Sequence, residues 1–543
     1  MSERTITAQY VDIHNRTIYP AEVTLKNGHI LSIQKTSKKA EHYIMPGFID
    51  AHIHIESAML VPAVFARAAV VHGTVATVSD PHEIANVMGI EGVRYMVANG
   101  KKVNFKFFFG APSCVPATSF ETAGGKISLS ETEELLKEKD IRYLSEMMNW
   151  PGVINQDDEV MSKIKLAQEY DKPVDGHAPG LRGEQAKKYA TAGIHTDHEC
   201  FTLEEAKDKL AYGMKIIIRE GSAAKNFEAL YPLIDEFADK VMLCSDDKHP
   251  DELMEGHINQ LVKRAVDRGV DLFHVLQAAC LNPIAHYNLD VGRLQVGDPA
   301  DFIVVKDLQG FDVLQTYING QLVAEKGTSH IPYIRTEPVN HFHCTPKVPQ
   351  DFIVHAKDKH NIKVILPADG QLVTTSTVES ATIQNGLVMS DTQRDILKIA
   401  VVNRYADTAP AVAFIKGFGL KNGAIASCVA HDSHNIIAVG SSDELLSKAV
   451  NTLIEQKGGI CAVDGQNTAV LPLPVAGIMS TDDAHTVAQA YAHVDKMAKA
   501  LGSSLKAPFM TLSFMALLVI PSLKLSDKGL FDGDKFEFTD VLI

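Results

Sequence analysis

Eight short apolar runs, each followed by a helix-like stretch, recur between about residues 49 and 280 and constrain the fold more than any other feature. In chain order the runs are "GFIDAHIH", "GTVATVSD", "NFKFFFGAP", "IRYLSEMMN", "KPVDGHAP", "GIHTDHE", "MKIIIREG" and "KVMLCSDD". A chain that alternates strands with helices predicts a parallel sheet, and eight such units predict a sheet closed into a (β/α)8 barrel of the TIM type. We therefore expect an α/β fold with this barrel at its centre.

Polar side chains stand at the ends of these runs, where a barrel of this kind places its catalytic groups. The strand-end residues are His52, His54, Asp80, Glu146, His177, His198 and Asp246. Neighbouring side chains of a strand point to opposite faces, so His52 and His54 can reach one point in space. Burying so many polar groups without partners would be costly, and a shared metal site would explain them.

The candidate ligands offer only nitrogen and oxygen, which suits zinc, manganese or iron and does not distinguish among them. The candidate metal ligands are His52, His54, Glu146, His177, His198 and Asp246. These are more than one tetrahedral ion needs, whereas two ions with Glu146 between them would use them all. Two neighbouring metal ions can lower the pKa of a shared water and produce hydroxide at neutral pH.

The sequence on either side of the eight runs alternates as strands do. Residues 6–34 contain a turn signal at Asn27-Gly28, and residues 291–325 contain one at Asn319-Gly320. We expect the two flanks to pair into one small β-sandwich domain made of residues 1–44 and 290–335, with the barrel in residues 45–289. Residues 345–543 mix strand-like runs broken by glycine with helical stretches, and we expect a further α+β domain there.

Charge and cysteine content narrow the classes of protein that fit. Lys plus Arg number 52 against 67 for Asp plus Glu, a net charge of −15, which argues against nucleic acid as the main partner and fits a cationic metal with a small neutral substrate. The 7 cysteines are scattered without a C-x-x-C pair, so a reducing cytoplasm is the expected location. The longest apolar run, residues 509–520, is well short of the ~20 residues that span a bilayer; it predicts a buried core segment and no membrane association.

Longer motifs resemble one known family. "MPGFIDAHIHIE", the later single histidines, "SDD" in the eighth run and the tail "VGRLQVGDPADFIVV" are similar to the amidohydrolase superfamily. Within it, "SDPHEIANVMG", "SEMMNWPGVI", "DGHAPGLRG", "TDHE", "IREGSAAKN" and "VAHDSHNIIAVG" resemble the bacterial adenine deaminases of the two-metal type, over nearly the whole chain. Cyclic-amide hydrolases of the superfamily often carry a carbamylated lysine as the bridge on strand four. Here that position resembles Glu146, as in the adenine deaminases.

The resemblance implies a metal-dependent hydrolase that converts adenine and water to hypoxanthine and ammonia in purine salvage, with a hydroxide between two divalent ions attacking C6. The ions would be Mn²⁺ or Fe²⁺, with Zn²⁺ as a further option. The implied roles are strand-one ligands for His52 and His54, the bridge for Glu146, ligands of the second ion for His177 and His198, and ligand of the first ion and proton acceptor for Asp246. Asp246, Glu146 and His177 are the predicted catalytic residues. We expect a homo-oligomer, with a dimer favoured, and the alternative function is a cyclic-amide or N-acyl amidohydrolase on the same barrel.

Two ligand positions have a competitor nearby. His195 lies in the same run as His198, but "TDHE" fits the family motif with His198 as the ligand. Asp247 follows Asp246, and the Ser-Asp pattern of the superfamily favours Asp246.

The motif "DPHE" allows two interpretations. Asp80 and Pro81 can be explained as the start of a helix, with Asp80 as the cap and Pro81 at the first position. A helix start does not explain His82 and Glu83. These two residues would either form hydrogen bonds to the metal ligands or bind an extra metal ion.

Two further groups are candidates for contact with the substrate. Arg219, Glu220 and Ser222, at the end of the seventh run, either form a salt-bridged rim or bind the edges of a purine. Asp432 and His434, in "VAHDSHN", either belong to a simple Asx turn or lie on a loop that closes the mouth of the barrel.

Overall fold

A computed structural model of the chain describes residues 3–543. Its N-terminal strands are β1 (Arg4–Asp12), β2 (Thr17–Lys26), β3 (His29–Lys35) and β4 (Tyr43–Pro46). The central strands are β5 (Phe48–Ile53), β6 (Thr74–Ser79), β7 (Lys106–Ala111), β8 (Ile141–Met147), β9 (Val174–Gly176), β10 (Thr196–Asp197), β11 (Lys215–Arg219) and β12 (Val241–Cys244). Each of the eight apolar runs contains one of these central strands, so the predicted strands are confirmed.

Helices alternate with the central strands. They are α1 (Pro62–Ala69), α2 (His82–Met88), α3 (Ile90–Gly100), α4 (Leu129–Lys137), α5 (Trp150–Ile154), α6 (Asp158–Glu169), α7 (Gly183–Thr191), α8 (Leu203–Ala211), α9 (Phe227–Leu230) and α10 (Leu233–Glu236). After β12 come α11 (Pro250–Glu255), α12 (Ile258–Asp267), α13 (Leu272–Leu276) and α14 (Asn282–Tyr287), with a π-helical turn at Gln277–Leu281. On α12 the buried residues are Ile258, Leu261, Val262 and Ala265. Their spacing puts them on one face, as expected of a helix that covers a sheet.

The central strands form two parallel sheets, with the orders β5-β6-β7-β8-β9 and β10-β11-β12. Backbone hydrogen bonds connect the two sheets. At one edge the N–H of Asp246 donates to the His52 carbonyl at 3.0 Å and the N–H of His54 donates to the Asp246 carbonyl at 3.3 Å. At the other edge the N–H of His195 donates to the Val174 carbonyl at 2.9 Å. The ends of β5 and β12 therefore meet, and with them the first and last groups of candidate ligands.

Strands from both flanks share one sheet. The later flank contributes β13 (Phe302–Val305), β14 (Val313–Ile318), β15 (Gln321–Glu325) and β16 (Thr328–Ser329), and the order is β16-β15-β14-β13-β4-β1-β2-β3. The expected turns are present: Asn27 and Gly28 have φ of 52° and 84°, and Asn319 and Gly320 have φ of 50° and 71°. Positive φ at both central residues is the backbone geometry of a tight hairpin turn that Asn-Gly favours.

The remaining elements belong to the C-terminal region. They are β17 (Val354–His355), β18 (Asn361–Pro367), β19 (Thr374–Ser380), β20 (Ile383–Gln384), β21 (Leu387–Val388), β22 (Ile396–Val402), β23 (Ala411–Lys416), β24 (Ala424–Ser427), β25 (Ile436–Gly440), α15 (Asp443–Gln456), β26 (Ile460–Val463), β27 (Thr468–Leu471), α16 (Ala484–Ala500), α17 (Pro508–Phe514), β28 (Leu523–Ser526), β29 (Gly529–Asp532) and β30 (Glu537–Phe538). The main sheet has the order β19-β18-β23-β22-β25-β24-β26-β27, and α15 packs against it. The apolar run at residues 509–520 starts with α17 and is almost wholly buried, as predicted. Among the described residues, none of the helices has the length and apolar character to cross a membrane.

Candidate metal centre and the cavity above it

His52, His54 and Asp246 converge at the meeting point of β5 and β12, and all three are buried. The Nε2 atoms of the two histidines lie 3.2 Å apart. Asp246 Oδ1 is 3.2 Å from His54 Nε2 and 3.5 Å from His52 Nε2. The side-chain alternation of a strand therefore brings the two rings to one carboxylate, as the sequence predicts.

Glu146, at the end of β8, connects this group to two more histidines. Its Oε1 lies 3.5 Å from His54 Nε2. Its Oε2 lies 2.9 Å from His177 Nδ1 and 3.1 Å from His198 Nε2. One carboxylate thus presents one oxygen to each group of histidines, which is the arrangement a bridging ligand requires.

The hydrogen bonds around His54 fit the ring of a metal ligand. Its Nδ1 lies 3.1 Å from the backbone oxygen of Asp80, so Nδ1 donates; when the ring is neutral, as a metal ligand must be, its lone pair is on Nε2, which faces Glu146 and Asp246. Histidine ligands commonly have their other nitrogen fixed in this way. Ligand atoms lie within 4.8 Å of one another in several overlapping groups, among them His52/His54/Asp246, His52/Glu146/His198 and His177/His198/Glu199. This buried set of imidazoles and carboxylates fits a divalent metal site.

The two central carboxylates are held in their ionised form. Burial raises the pKa of Glu146, but the His177 and His198 rings outweigh burial and hold that pKa well below its ordinary value. Burial also raises the pKa of Asp246, and the Arg219 guanidinium, followed by the strand-one histidines, holds it well below the ordinary value. A cation entering the site would meet two negative charges.

Arg219, at the end of β11, is buried and forms ion pairs with two carboxylates, Asp246 and Glu199. Glu199 was not among the sequence candidates, although it is the last residue of the "TDHE" motif. Its Oε1 lies 3.4 Å from His198 Nε2 and 3.6 Å from His177 Nδ1. Burial raises its pKa, but Arg219 and then His177 lower it to about 2. Glu199 therefore faces the same two ring nitrogens as Glu146 and shares Arg219 with Asp246.

The residues of "DPHE" lie against the metal centre. Helix α2 begins at His82, so Pro81 precedes the helix and does not occupy its first position, and Asp80 Oδ1 accepts a hydrogen bond from the His82 N–H at 3.1 Å. His82 Nδ1 is 3.3 Å from Glu146 Oε1, and its Nε2 is 3.4 Å from Glu83 Oε1 and 3.7 Å from Asp432 Oδ1. His82 thus connects the central carboxylate to a second buried cluster.

This second cluster joins the parallel sheets to the C-terminal region. The loop 428–435 between β24 and β25 carries His431, Asp432 and His434, all buried. The two carboxylate oxygens of Glu83 contact His431 Nδ1 and His434 Nε2. Burial lowers the pKa of His431, yet Glu83 and Asp247 raise it to about 9.

A cavity lies above the cluster, with walls from both parts of the chain. Its polar lining includes residues named above, namely His54, His82, Glu83, Glu146, His177, His198, Glu199, Arg219, Asp246, Asp247, His431 and Asp432. Its apolar walls are Met148 together with Leu372, Phe514 and Leu517 of the C-terminal region. The lining is therefore mainly polar and titratable, and polar groups that converge on one cavity beside a few apolar side chains mark a candidate small-molecule site.

Four sequence candidates lie in other surroundings or beside the cluster. Glu220 pairs with Arg264 at 2.9 Å and lines a different cavity, and the Ser222 hydroxyl donates to Glu252 at 3.0 Å. His195 immediately precedes β10, and its Nδ1 accepts from the Val174 N–H at 3.1 Å. Asp247 does line the cavity and accepts a hydrogen bond from Ser57 at 2.6 Å.

Comparison with known proteins covers nearly the whole chain. Residues 43–323 match the model of the amidohydrolase family, and residues 371–537 match that of the adenine deaminase C-terminal domain. An adenine deaminase of Salinibacter ruber is 55% identical over 541 residues, 99% of each chain. One from a Sulfurovum species is 56% identical over 98% of each chain, and one from Borreliella burgdorferi is 53% identical over 98% of this chain and 99% of its own. The similarity therefore includes both the parallel sheets and the loop that reaches Glu83.

Proposed function

The chain belongs to the adenine deaminase family of metal-dependent amidohydrolases, and from this premise we propose that it hydrolyses adenine to hypoxanthine and ammonia. The observation that carries the proposal is the Glu146 carboxylate between two pairs of histidines, beneath a cavity that the C-terminal region encloses. The full-length identity to adenine deaminases supports adenine as the substrate.

In this proposal His52, His54 and Asp246 would hold one divalent ion, His177 and His198 would hold the other, and Glu146 would be shared between them. Mn²⁺ or Fe²⁺ are the proposed ions, and Zn²⁺ also suits nitrogen and oxygen donors. When bound, such ions lower the pKa of water far enough to supply hydroxide near neutral pH.

Asp246 is the proposed acceptor for the proton of the attacking water. Its Oδ1 faces the two strand-one histidines, while its Oδ2 faces Arg219. The guanidinium fixes the orientation of the carboxylate and keeps it ionised, so it is ready to take a proton at the start of the reaction.

The leaving amine must gain a proton at its exocyclic nitrogen, and we assign this delivery to the pair of His82 and Glu83. His82 lies 3.3 Å from Glu146 Oε1 and lines the cavity. Glu83 is held by His431 and His434, so the loop 428–435 positions it. The apolar walls at Leu372, Phe514 and Leu517 would hold the faces of the purine and exclude water.

The architecture that goes with this function is a closed (β/α)8 barrel made of the two parallel sheets. The backbone hydrogen bonds of Asp246 with His52 and His54, and of His195 with Val174, support closure at both edges. We retain the layout of a β-sandwich domain in residues 1–44 and 290–335, a barrel in 45–289 and a C-terminal domain in 345–543, and we propose a homodimer in the cytoplasm.

Steady-state turnover is the direct test. The purified protein, loaded with Mn²⁺ or Fe²⁺, is expected to release ammonia from adenine in equal amounts with hypoxanthine. Hydantoins and N-acyl amino acids, assayed in parallel, are expected to react poorly. Rapid hydrolysis of either of these with no ammonia from adenine would replace the proposal with the alternative amidohydrolase function.

A further inference from the structure

A second cavity opens at the amino-terminal ends of the parallel strands, on the face opposite to the candidate metal centre. It has a volume of about 930 Å³ and is lined by residues at or just before the starts of β8, β9 and β10 and near the end of α14. Pockets of ~300–1,000 Å³ commonly hold small molecules. A strand of this length puts the two cavities roughly 15–20 Å apart, so this one is separate from the reaction site.

His286 lines this cavity with part of its ring, while its Nε2 atom is buried. Its side chain is 6% exposed, and its Nδ1 lies 3.0 Å from Lys215 Nζ. A lysine ammonium only donates, so Nδ1 accepts and the ring proton lies on Nε2. Within residues 3–543 this N–H has no hydrogen-bond partner, because Asp175 Oδ1 is 4.0 Å away, beyond hydrogen-bonding range.

His195 offers the same chemistry from the neighbouring strand. The Val174 N–H donates to His195 Nδ1 at 3.1 Å, so the proton of the neutral ring lies on Nε2. The ring centroids of His195 and His286 are 6.2 Å apart, and both residues line the cavity. Two imidazoles thus lie beside one cavity, and the Nε2–H group of His195 can donate to a ligand there, whereas that of His286 is buried.

The charged lining is mainly cationic. Lys137 pairs with Glu133 and Glu138 pairs with Arg94, so these charges are balanced locally. The other charged residues of the lining are Lys139, Arg142, Lys172 and Asp171. Three cations against one carboxylate leave a net charge of +2 there, in a chain whose net charge is −15.

Arg142 and Lys172 both retain donors for a ligand. Within residues 3–543, Arg142 makes its recorded contact with the Phe108 ring, at 5.5 Å, and neither an ion pair nor a hydrogen bond. Lys172 Nζ donates to the carbonyl oxygens of Leu136 and Glu138, which leaves one of its three N–H groups. Burial and then the nearby Arg142 lower the pKa of Lys172 to about 8, and the Glu138 carboxylate offsets only part of this effect.

We propose that this cavity binds a phosphate-type oxyanion, either free phosphate or the phosphate group of a monoester. Arg142, Lys172 and the Nε2–H group of His195 would donate to its oxygens. A site made of donors suits a ligand made of acceptors, and the guanidinium matches phosphate geometry. The volume beyond one phosphate leaves room for the rest of an ester beside Tyr170.

Isothermal titration of the metal-loaded protein tests the proposal, with inorganic phosphate, adenosine 5′-monophosphate and adenosine as separate ligands at constant ionic strength. One equivalent of phosphate or of the monophosphate is expected to bind. Adenosine, which has no phosphate group, is expected not to bind at this cavity. Tighter binding of the monophosphate than of phosphate would identify an ester as the ligand, and equal binding would identify free phosphate.

Variants locate the binding. Arg142→Gln is expected to weaken phosphate binding at least 10-fold. Lys139→Gln, which removes only a nearby positive charge, is expected to weaken it by less, and both variants should keep the wild-type kcat/KM for adenine. Arg268→Gln is the matched control, since that arginine is exposed and pairs with Glu228 elsewhere. The proposal is overturned if neither ligand binds saturably, if both cavity variants bind like the control, or if phosphate competes with adenine. If Arg142→Gln changes the oligomeric state of the protein and retains its phosphate affinity, this face is instead a subunit interface.

Discussion

Glu146 is the carboxylate that both groups of histidines share, and its two oxygens are not equivalent. Oε1 faces His54 and His82, whereas Oε2 faces His177 and His198. A neutral amide would replace one of these oxygens with an N–H donor, which repels a cation and cannot accept from a ligand ring. The charge and symmetry of this one side chain therefore matter more than its size.

Glu146→Gln is expected to lose bound metal and nearly all activity while its circular dichroism stays that of the wild type. Metal analysis and ammonia release from adenine measure the two effects. Glu220→Gln is the matched control, because Glu220 is also buried but pairs with Arg264. A Glu146→Gln variant that keeps both ions and its rate would exclude a bridging role.

Asp246 and Asp247 are adjacent but have different partners, which predicts different effects of substitution. Asp246→Asn is expected to lower kcat by ~10²–10⁴-fold or more, since a general base is worth about that much and a ligand is lost as well. Asp247→Asn should be milder, because Asp247 accepts from Ser57 at 2.6 Å and lies 3.8 Å from Arg219. Steady-state kinetics at saturating metal would reveal the order, and the reverse order would move the proton acceptor to Asp247.

At the residue scale, sequence reasoning depends on period and motif, and its limits follow from that. Strand alternation was enough to bring His52 and His54 to one carboxylate. Strand alternation could not identify Glu199, because its ion pair depends on the position of the Arg219 guanidinium, which the sequence pattern does not give. Glu220 lies next to Arg219 on the chain, yet strand alternation sends it to Arg264 on the other side.

The loop 428–435 is the element that connects the C-terminal region to the metal centre. It joins two buried strands, β24 and β25, so its ends are fixed by the sheet. His431 and His434 hold Glu83, and Asp432 lies 3.7 Å from His82. A loop anchored in this way can position a proton donor while it covers the cavity.

Asp432→Ala and His434→Ala are each expected to lower kcat for adenine about 10-fold or more, while metal content and oligomeric state stay unchanged. Misplacing a catalytic group by even ~1 Å can cost that much or more. His485→Ala on α16 is the control, since its ring contacts the exposed Gln489. Normal turnover by both loop variants, or loss of activity only through dissociation of subunits, would mean that the C-terminal region serves assembly.

Lys524 on β28 forms hydrogen bonds with the backbone of two residues that line the cavity. Its Nζ is fully buried and donates to the carbonyls of Leu372 and Phe514 at 2.7 and 2.9 Å. Burial lowers the pKa of Lys524 to about 7. The neutral amine has two N–H groups, which match the two carbonyl acceptors, so the uncharged form satisfies this site without a buried charge.

Because the folded-state pKa of Lys524 lies below its unfolded value, the unfolded chain binds more protons between about pH 7 and pH 10.5. Stability therefore rises with pH across this window. Denaturant unfolding of the metal-loaded protein at pH 7 and pH 9 should show this rise, and Lys524→Met should reduce it. An equal rise in the variant would mean that other groups produce it.

Elements were easier to predict than their mutual arrangement. The eight apolar runs and both Asn-Gly turns were recognisable because strand periodicity and turn chemistry are local. The contact of the loop 428–435 with Glu83 spans about 350 residues of sequence and follows from packing, which local patterns do not encode. The same holds for the cavity walls that Lys524 secures.

For the whole molecule, the metal centre is the place where distant parts of the chain meet. The ends of strands β5, β8 and β12 supply candidate ligands, and Glu83 extends the cluster to the C-terminal region. Several carboxylates and imidazoles are buried there within a few Å of one another. Without cations, burial of like charges at this meeting point opposes folding.

Removal of the metal is therefore expected to destabilise the entire chain. A ligand present at 100 times its Kd stabilises the folded state by about 2.7 kcal/mol, which for a chain of 543 residues that unfolds as a unit corresponds to a fall in Tm of roughly 2 °C for each ion removed. Calorimetry before and after chelation, and again after addition of Mn²⁺, measures the fall and its recovery. Glu146→Gln should start near the lower Tm and gain little from Mn²⁺, whereas Glu220→Gln should recover like the wild type. If chelation leaves the Tm unchanged, the chain folds equally well without ions. Protons would then have to neutralise the charges of the buried cluster.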